Sequence, residues 1–207
     1  MEELRKSPIT WILIAWNALI FLAVELTGGS NDISNMVRWG ASFAPMIQEQ
    51  GQYYRLFTCM FLHFGLEHLG YNMLILYFVG GHLERAVGKI RFLLIYLIGG
   101  IGASYCSYYV DILRQDAVVS AGASGAIFAA LGGLLWILIL NRGRLEEISL
   151  KKLLLMALLC LYYGFASTGV DNTAHIGGFV LGFVLAVLLC HRPQHRKNQS
   201  VVNGREI

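Results

Sequence analysis

A serine and a histidine each stand at the head of a long apolar run. Ser124 lies in Gly122-Ala123-Ser124-Gly125, ahead of a run reaching Leu140, and His175 lies in Ala174-His175-Ile176-Gly177-Gly178, ahead of one reaching Cys190. Polar side chains are costly within a bilayer and by default mark a functional site. These two types make a nucleophile and its base: serine is a poor nucleophile until a neighbouring group takes its proton, and histidine can take that proton and give it back. His68 and Asn72 are spaced to share one helix face. Acyl transfer passes through an oxyanion that needs fixed donors in a dry site. His68, Asn72 and the backbone N–H of Ser124 are the donors at hand, and the positive end of the helix that Ser124 opens points the same way. Phe128 follows Ser124 by one helical turn and is placed to pack on the His175 ring.

Positioning these side chains falls to membrane helices. Of 207 residues, 56% are hydrophobic and 14% charged, with a mean hydropathy of +0.57, whereas an average domain carries about 25% charged residues. The apolar residues come in blocks, which indicates a polytopic all-α membrane protein rather than a large soluble core. Six spans are predicted, at about 9–27, 67–84, 91–110, 122–141, 150–168 and 173–190. They divide the chain into a cytoplasmic N-terminus (1–8), a six-helix membrane domain (9–190) and a polar, disordered cytoplasmic tail (191–207). The first apolar run is too long for the roughly 7–15-residue core of a signal peptide, and no small-residue cleavage site follows it. All but Arg38, Arg55 and Arg114 of the 16 Lys and Arg residues fall on one side of this arrangement. The positive-inside rule makes that side cytoplasmic and places both termini there. The net charge of +3 is thereby explained by topology and implies no nucleic-acid partner. Compactness and the lack of a targeting segment suggest a bacterial inner membrane.

Spans two, four and six then all run from outside to inside. Their heads, carrying His68 with Asn72, Ser124 and His175, lie at one shallow depth near the outer face. The connection between spans one and two, 28–66, is long, and its second half, Tyr53 to Phe64, is aromatic and apolar. It is read as an interfacial loop, or as dipping in with its backbone buried in protein, or, for its last residues, as an extension of span two. Span six carries Ala174, Gly178 and Gly182 at four-residue spacing, a small-residue face that lets backbones approach closely.

Plainer roles exist for each residue taken alone. A membrane serine commonly bonds its own i−4 carbonyl, and a membrane histidine can serve a proton path. His63 and His68 have the wrong spacing for one helix face, and no HExxH occurs, so neither metal nor cofactor is expected. Cys59 and Cys106 both lie toward the outer face, where a disulfide between them is one option, but the cysteines show no disulfide framework or metal spacing.

Taken together and in order, Tyr54-Arg55, the His63…His68-xxx-Asn72 series, Gly-x-Ser-Gly at 122–125 and Ala-His-xx-Gly-xxx-Gly at 174–182 resemble the rhomboid intramembrane serine proteases. The resemblance runs from about Gly51 to Leu189. It implies a six-helix core with a Ser124–His175 dyad and no catalytic aspartate, with His68 and Asn72 in the oxyanion hole. It implies substrates that are single-span or polytopic membrane proteins, cut near the outer end of a helix, with small residues before the cut and helix-destabilising residues nearby. It makes Gly122, Gly125 and Phe128 supporting residues, Arg55 a brace for the interfacial loop and Glu84 structural. It makes span five with 167–173 the mobile gate and cap. Three positions depart from the family pattern: Tyr54 stands for the usual Trp, Phe128 for the usual Tyr, and Ala86 for the arginine of Glu-x-Arg. Two other classes compete. A rhomboid-like protein that only holds membrane clients would need no dyad. A proton channel or transporter would carry polar residues at several depths and a pair of Gly/Pro-broken helices.

Overall fold

The apolar blocks become helices whose ends are fixed by local chemistry. The structure is a computed structural model that describes residues 6–145, 148–166 and 170–191. Helix α1 (Pro8–Leu26) starts with proline in its first turn, where the missing N–H costs nothing. Two short helices follow, α2 (Ile33–Trp39), capped by the Asp32 carboxylate, and α3 (Ala44–Gln50). After a turn of helix α4 (Arg55–Thr58) and a single 3-10 turn (Cys59–Phe61) come the long helices α5 (Gly65–Val87) and α6 (Lys89–Arg114). Helices α7 (Ser124–Leu140), α8 (Leu150–Ala166) and α9 (Asn172–Leu189) complete the bundle.

Among the described residues, the predicted apolar runs are largely helical. Three helices, α1, α6 and α9, are long and apolar enough to cross a membrane by length and composition; α7, at 17 residues, is a shorter apolar helix. The Tyr53–Phe64 segment is separate from α5, because Leu62 is extended and the helix begins only at Gly65. The reading of its last residues as an extension of span two is therefore corrected. The predicted limits of span two, 67–84, widen to Gly65–Val87.

Two elements in the connections bear on the site. Strand β1 (Ser42–Phe43) pairs antiparallel with β2 (Val119–Ser120), Ser42 opposite Ser120. This tether joins the first connection to the residues just ahead of Ser124. A second two-residue pair, β3 (Arg144–Leu145) with β4 (Ile148–Ser149), links α7 to α8.

The most extensive packing is between α7 and α9. A Cβ at Gly182 would overlap the Ala129 carbonyl, one at Gly178 the Gly125 carbonyl and one at Gly132 the Phe179 carbonyl. The two backbones touch along their length, as the small-residue face of span six predicted. The main core, including Leu76, Leu83, Phe92, Ile95, Tyr96, Leu131 and Leu134, surrounds this pair. Helix α8 is packed only lightly against α7 and α9, and Leu155, Leu158, Leu159 and Tyr162 on it are exposed.

Candidate active site

Helices α5, α7 and α9 bring their N-terminal ends to one end of the bundle. Ser124 is the first residue of α7, and the turn before it is held from two sides. The Gly122 N–H donates to the Cys59 carbonyl at 2.9 Å, and the Ala123 N–H donates to His63 Nε2 at 3.3 Å. Gly122 adopts φ +145°, and a Cβ there would lie 2.9 Å from His68 Cε1 and 3.0 Å from its Nε2. The same point is 3.7 Å from Ser124 Oγ. His68 therefore borders the serine turn, and glycine at 122 makes the approach sterically open.

The bonding of His68 orients its ring. Its Nδ1 accepts the Phe64 N–H at 3.4 Å, which assigns the proton to Nε2, the nitrogen beside the turn. Asn72 is buried one turn further along α5 and donates through Nδ2 to the His68 carbonyl at 2.9 Å. One of its two amide hydrogens is thus engaged within its own helix.

His175, in the first turn of α9, is buried and stacks on Phe128 with centroids 4.2 Å apart and planes 11° from parallel. Phe128 is one turn after Ser124 on α7, so the stack registers the imidazole against the helix that carries the serine. Ser124 and His175 are not hydrogen-bonded to each other here; such bonds are often long in enzymes without substrate and tighten on binding. Gly125 lies against Ala174, the residue before His175.

The supporting residues are placed as follows. Arg55 is buried in the first connection, where its Nη1 donates to the Val37 and Ala41 carbonyls at 2.7 and 2.9 Å and its Nε to Gln52 Oε1 at 2.7 Å. It ties α2 to α4 from within. Glu84 lies toward the opposite end of α5, buried, and accepts the Ile9 N–H, the Thr10 N–H and the Thr10 hydroxyl at 2.8–2.9 Å. A carboxylate on one helix thereby caps the N-terminus of another. Residues 167–169 of the expected cap, and 192–207 of the expected tail, lie outside the described residues.

Two contributors were not singled out from sequence. His63 stands in the sequence as a member of the His63…His68-xxx-Asn72 series and as an unfavoured metal ligand, with no role of its own; its ring meets the His68 ring edge to face, centroids 5.2 Å apart, and accepts from the serine turn. Asp171 was not considered. It caps α9 by accepting the Ala174 N–H at 2.9 Å, and it accepts the Ser107 hydroxyl. An aspartate ahead of an apolar run is a legible helix-start signal. Among the described residues, no cluster of His, Cys, Asp and Glu is arranged to hold a metal, and all four cysteines are free.

Comparison with known proteins places this geometry in context. Residues 50–192 match the Rhomboid domain family model. Over 184 residues the chain is 39% identical to the "Rhomboid protease GluP" of Bacillus subtilis (strain 168), covering 89% of this chain and 35% of that protein. It is 42% identical over 149 residues to "RHOMBOID-like protein 5" of Arabidopsis thaliana, covering 71% and 47% respectively. It is 27% identical over 195 residues to the "Putative rhomboid protease YdcA" of Bacillus subtilis (strain 168), covering 93% and 94%. The chain spans about a third of the length of the first of these relatives and about half that of the second.

Proposed function

The chain belongs to the rhomboid family, and from that premise we propose that it is an intramembrane serine endopeptidase acting through a Ser124–His175 dyad. Its apolar helices and its family make it an integral membrane protein. All six long helices cross the bilayer in this reading, with both termini in the cytoplasm and the site near the outer face of a bacterial inner membrane. Substrates are membrane proteins cut near the outer end of a spanning helix.

Ser124 Oγ attacks the scissile carbonyl while His175 takes its proton. The imidazolium then protonates the departing amine, leaving an acyl-enzyme on Ser124. His175 next takes a proton from water, whose oxygen attacks the ester, and returns that proton to Ser124. The oxyanion formed in each half-reaction is stabilised by His68, Asn72 and the Ser124 backbone N–H. No metal or cofactor enters this scheme.

The observation that carries the reading is the convergence at the head of α7: the His68 Nε2 edge borders the Gly122–Ser124 turn while Phe128, one turn on, holds His175. The test is cleavage of a single-span reporter, with small and helix-breaking residues near its outer end, by reconstituted wild type and Ser124→Ala. Cleavage by wild type alone is expected, and cleavage retained in the variant sinks the assignment. Labelling of Ser124 by a fluorophosphonate separates an active nucleophile from a chain that only holds membrane clients.

A further inference from the structure

At the end of the bundle opposite Ser124, the last residues of α5, α7 and α9 and the start of α6 line a cavity of about 220 Å³. Its wall combines apolar side chains of α5, α7 and α9 with Arg91 and His191. The volume far exceeds that of one water and takes a phosphate group. Donors and acceptors are unequal there. The Ile137 carbonyl already accepts the Asn141 N–H at 3.0 Å and Asn141 Nδ2 at 2.8 Å, and the Cys190 carbonyl accepts Trp136 Nε1 at 2.8 Å. Among the described residues, the Arg91 guanidinium has neither an ion-pair nor a hydrogen-bond partner, and its charge is felt at Cys190 on the facing helix end. The carboxylate at this end among the described residues is Glu84, whose oxygens are engaged by the start of α1. Lys89, Arg142, Arg144 and Lys151 add positive charge at the same end. An unmatched guanidinium in a field of one sign suits an anion, and its planar fork matches phosphate oxygens.

We propose that this pocket binds the phosphate of an anionic phospholipid, with Arg91 as its principal ligand and His191, whose imidazole offers an N–H in either charge state, as a second donor. The neighbouring surface favours a lipid over a free phosphate. Leu94, Ile98 and Ile101 follow Arg91 at helical spacing on α6, and Val184 and Leu188 stand on α9; all five are exposed. The cationic pocket thus stands at the head of apolar stripes, where the acyl chains of a lipid lie. A zwitterionic headgroup carries an ammonium group into the same positive field and binds less well. The assignment needs only that these helices lie in a bilayer, and it stands apart from the proteolytic reading.

The experiment mixes the full chain, purified in a neutral detergent, with phosphatidylglycerol, phosphatidylcholine of the same acyl chains, or inorganic phosphate, and reads bound ligand by native mass spectrometry. Wild type is expected to hold phosphatidylglycerol about tenfold or more tightly than phosphatidylcholine. Arg91→Gln should lose that preference, and Arg91→Lys, which keeps the charge without the fork, should retain part of it. Arg91 is exposed and unpaired, so these substitutions leave the fold intact. Lys151→Gln removes an exposed charge at the same end but outside the pocket, and should bind as wild type does. Equal affinity for the two lipids, or equal loss in Arg91→Gln and Lys151→Gln, overturns the site, because the attraction is then that of general surface charge. Displacement of the lipid by an equal concentration of inorganic phosphate overturns the lipid assignment and makes the pocket a site for free phosphate.

Discussion

The Phe128 ring lies almost parallel to the His175 imidazole, 4.2 Å between centroids, and the stack ties this imidazole to the helix that begins at Ser124. His175 Nδ1 is buried without a hydrogen-bond partner. Among the described residues no carboxylate hydrogen-bonds the ring, which stacks on Phe128.

Replacing Phe128 by leucine keeps apolar bulk and removes the aromatic face. Turnover should fall about two- to tenfold, the equivalent of the roughly 0.5–1.5 kcal/mol that an aromatic pair contributes beyond its buried area. Phe128→Tyr, which preserves the ring, should keep near-normal turnover. Single-turnover rates for the three proteins decide this, and a leucine variant as fast as wild type would remove stacking from the mechanism.

The proposed oxyanion donors should act on the chemical step. His68→Ala is expected to lower kcat by about 10²–10³ with little change in KM. Asn72→Ala should fall at the lower end of that range, because one Asn72 N–H is already engaged by the His68 carbonyl. Unchanged turnover in both variants would exclude them from the role.

Glu84 should matter for stability and not for chemistry. Its carboxylate accepts three donors from the start of α1, and hydrogen bonds to a charged group contribute about 1.5–3 kcal/mol each. Glu84→Ala should lower the unfolding temperature in detergent clearly more than Glu84→Gln, which retains an acceptor. The kcat of the molecules that remain folded should match wild type. Equal melting of Glu84→Ala and wild type would contradict the capping role.

His63 gives a pH dependence. It lies in the connection ahead of α5, and burial, helped by the neighbouring His68, pushes it down to about 3 from an ordinary 6.5. The unfolded chain therefore binds a proton at higher pH than the folded one. The stability held by neutral His63 is complete above about pH 6.5 and is lost progressively as pH falls toward 3. His63→Gln, a neutral replacement, should flatten the fall in unfolding temperature across that window. Identical slopes for the two proteins would mean that His63 already titrates normally when folded.

The helices were legible in the sequence because lipid demands long apolar blocks, and Ser124, His68 and His175 stood out as polar residues at their heads. The short elements of the first connection were not. Helices α2 and α3 span 7 residues each, and the β1–β2 pair spans two residues per strand, too short for any periodicity to show. Their formation depends on distant partners such as Arg55, whose guanidinium satisfies carbonyls 14 and 18 residues away in the chain. His63 was legible as a residue but not as a partner, because its acceptor role depends on Ala123, 60 residues later. Asp171 carried a local signal as a capping residue; its bond to Ser107, 64 residues earlier, did not.

Backbone contact between α7 and α9 has a consequence for mutational scanning. At Gly132, Gly178 and Gly182 any side chain collides with a carbonyl of the facing helix, and carbonyls of packed helices cannot swing aside as side chains do. In a saturation library scored by activity, these glycines should be as intolerant as Ser124, although they take no part in bond making. Scored by protein abundance, the two groups should part: the glycine variants vanish from the membrane fraction, while Ser124→Ala accumulates to normal levels.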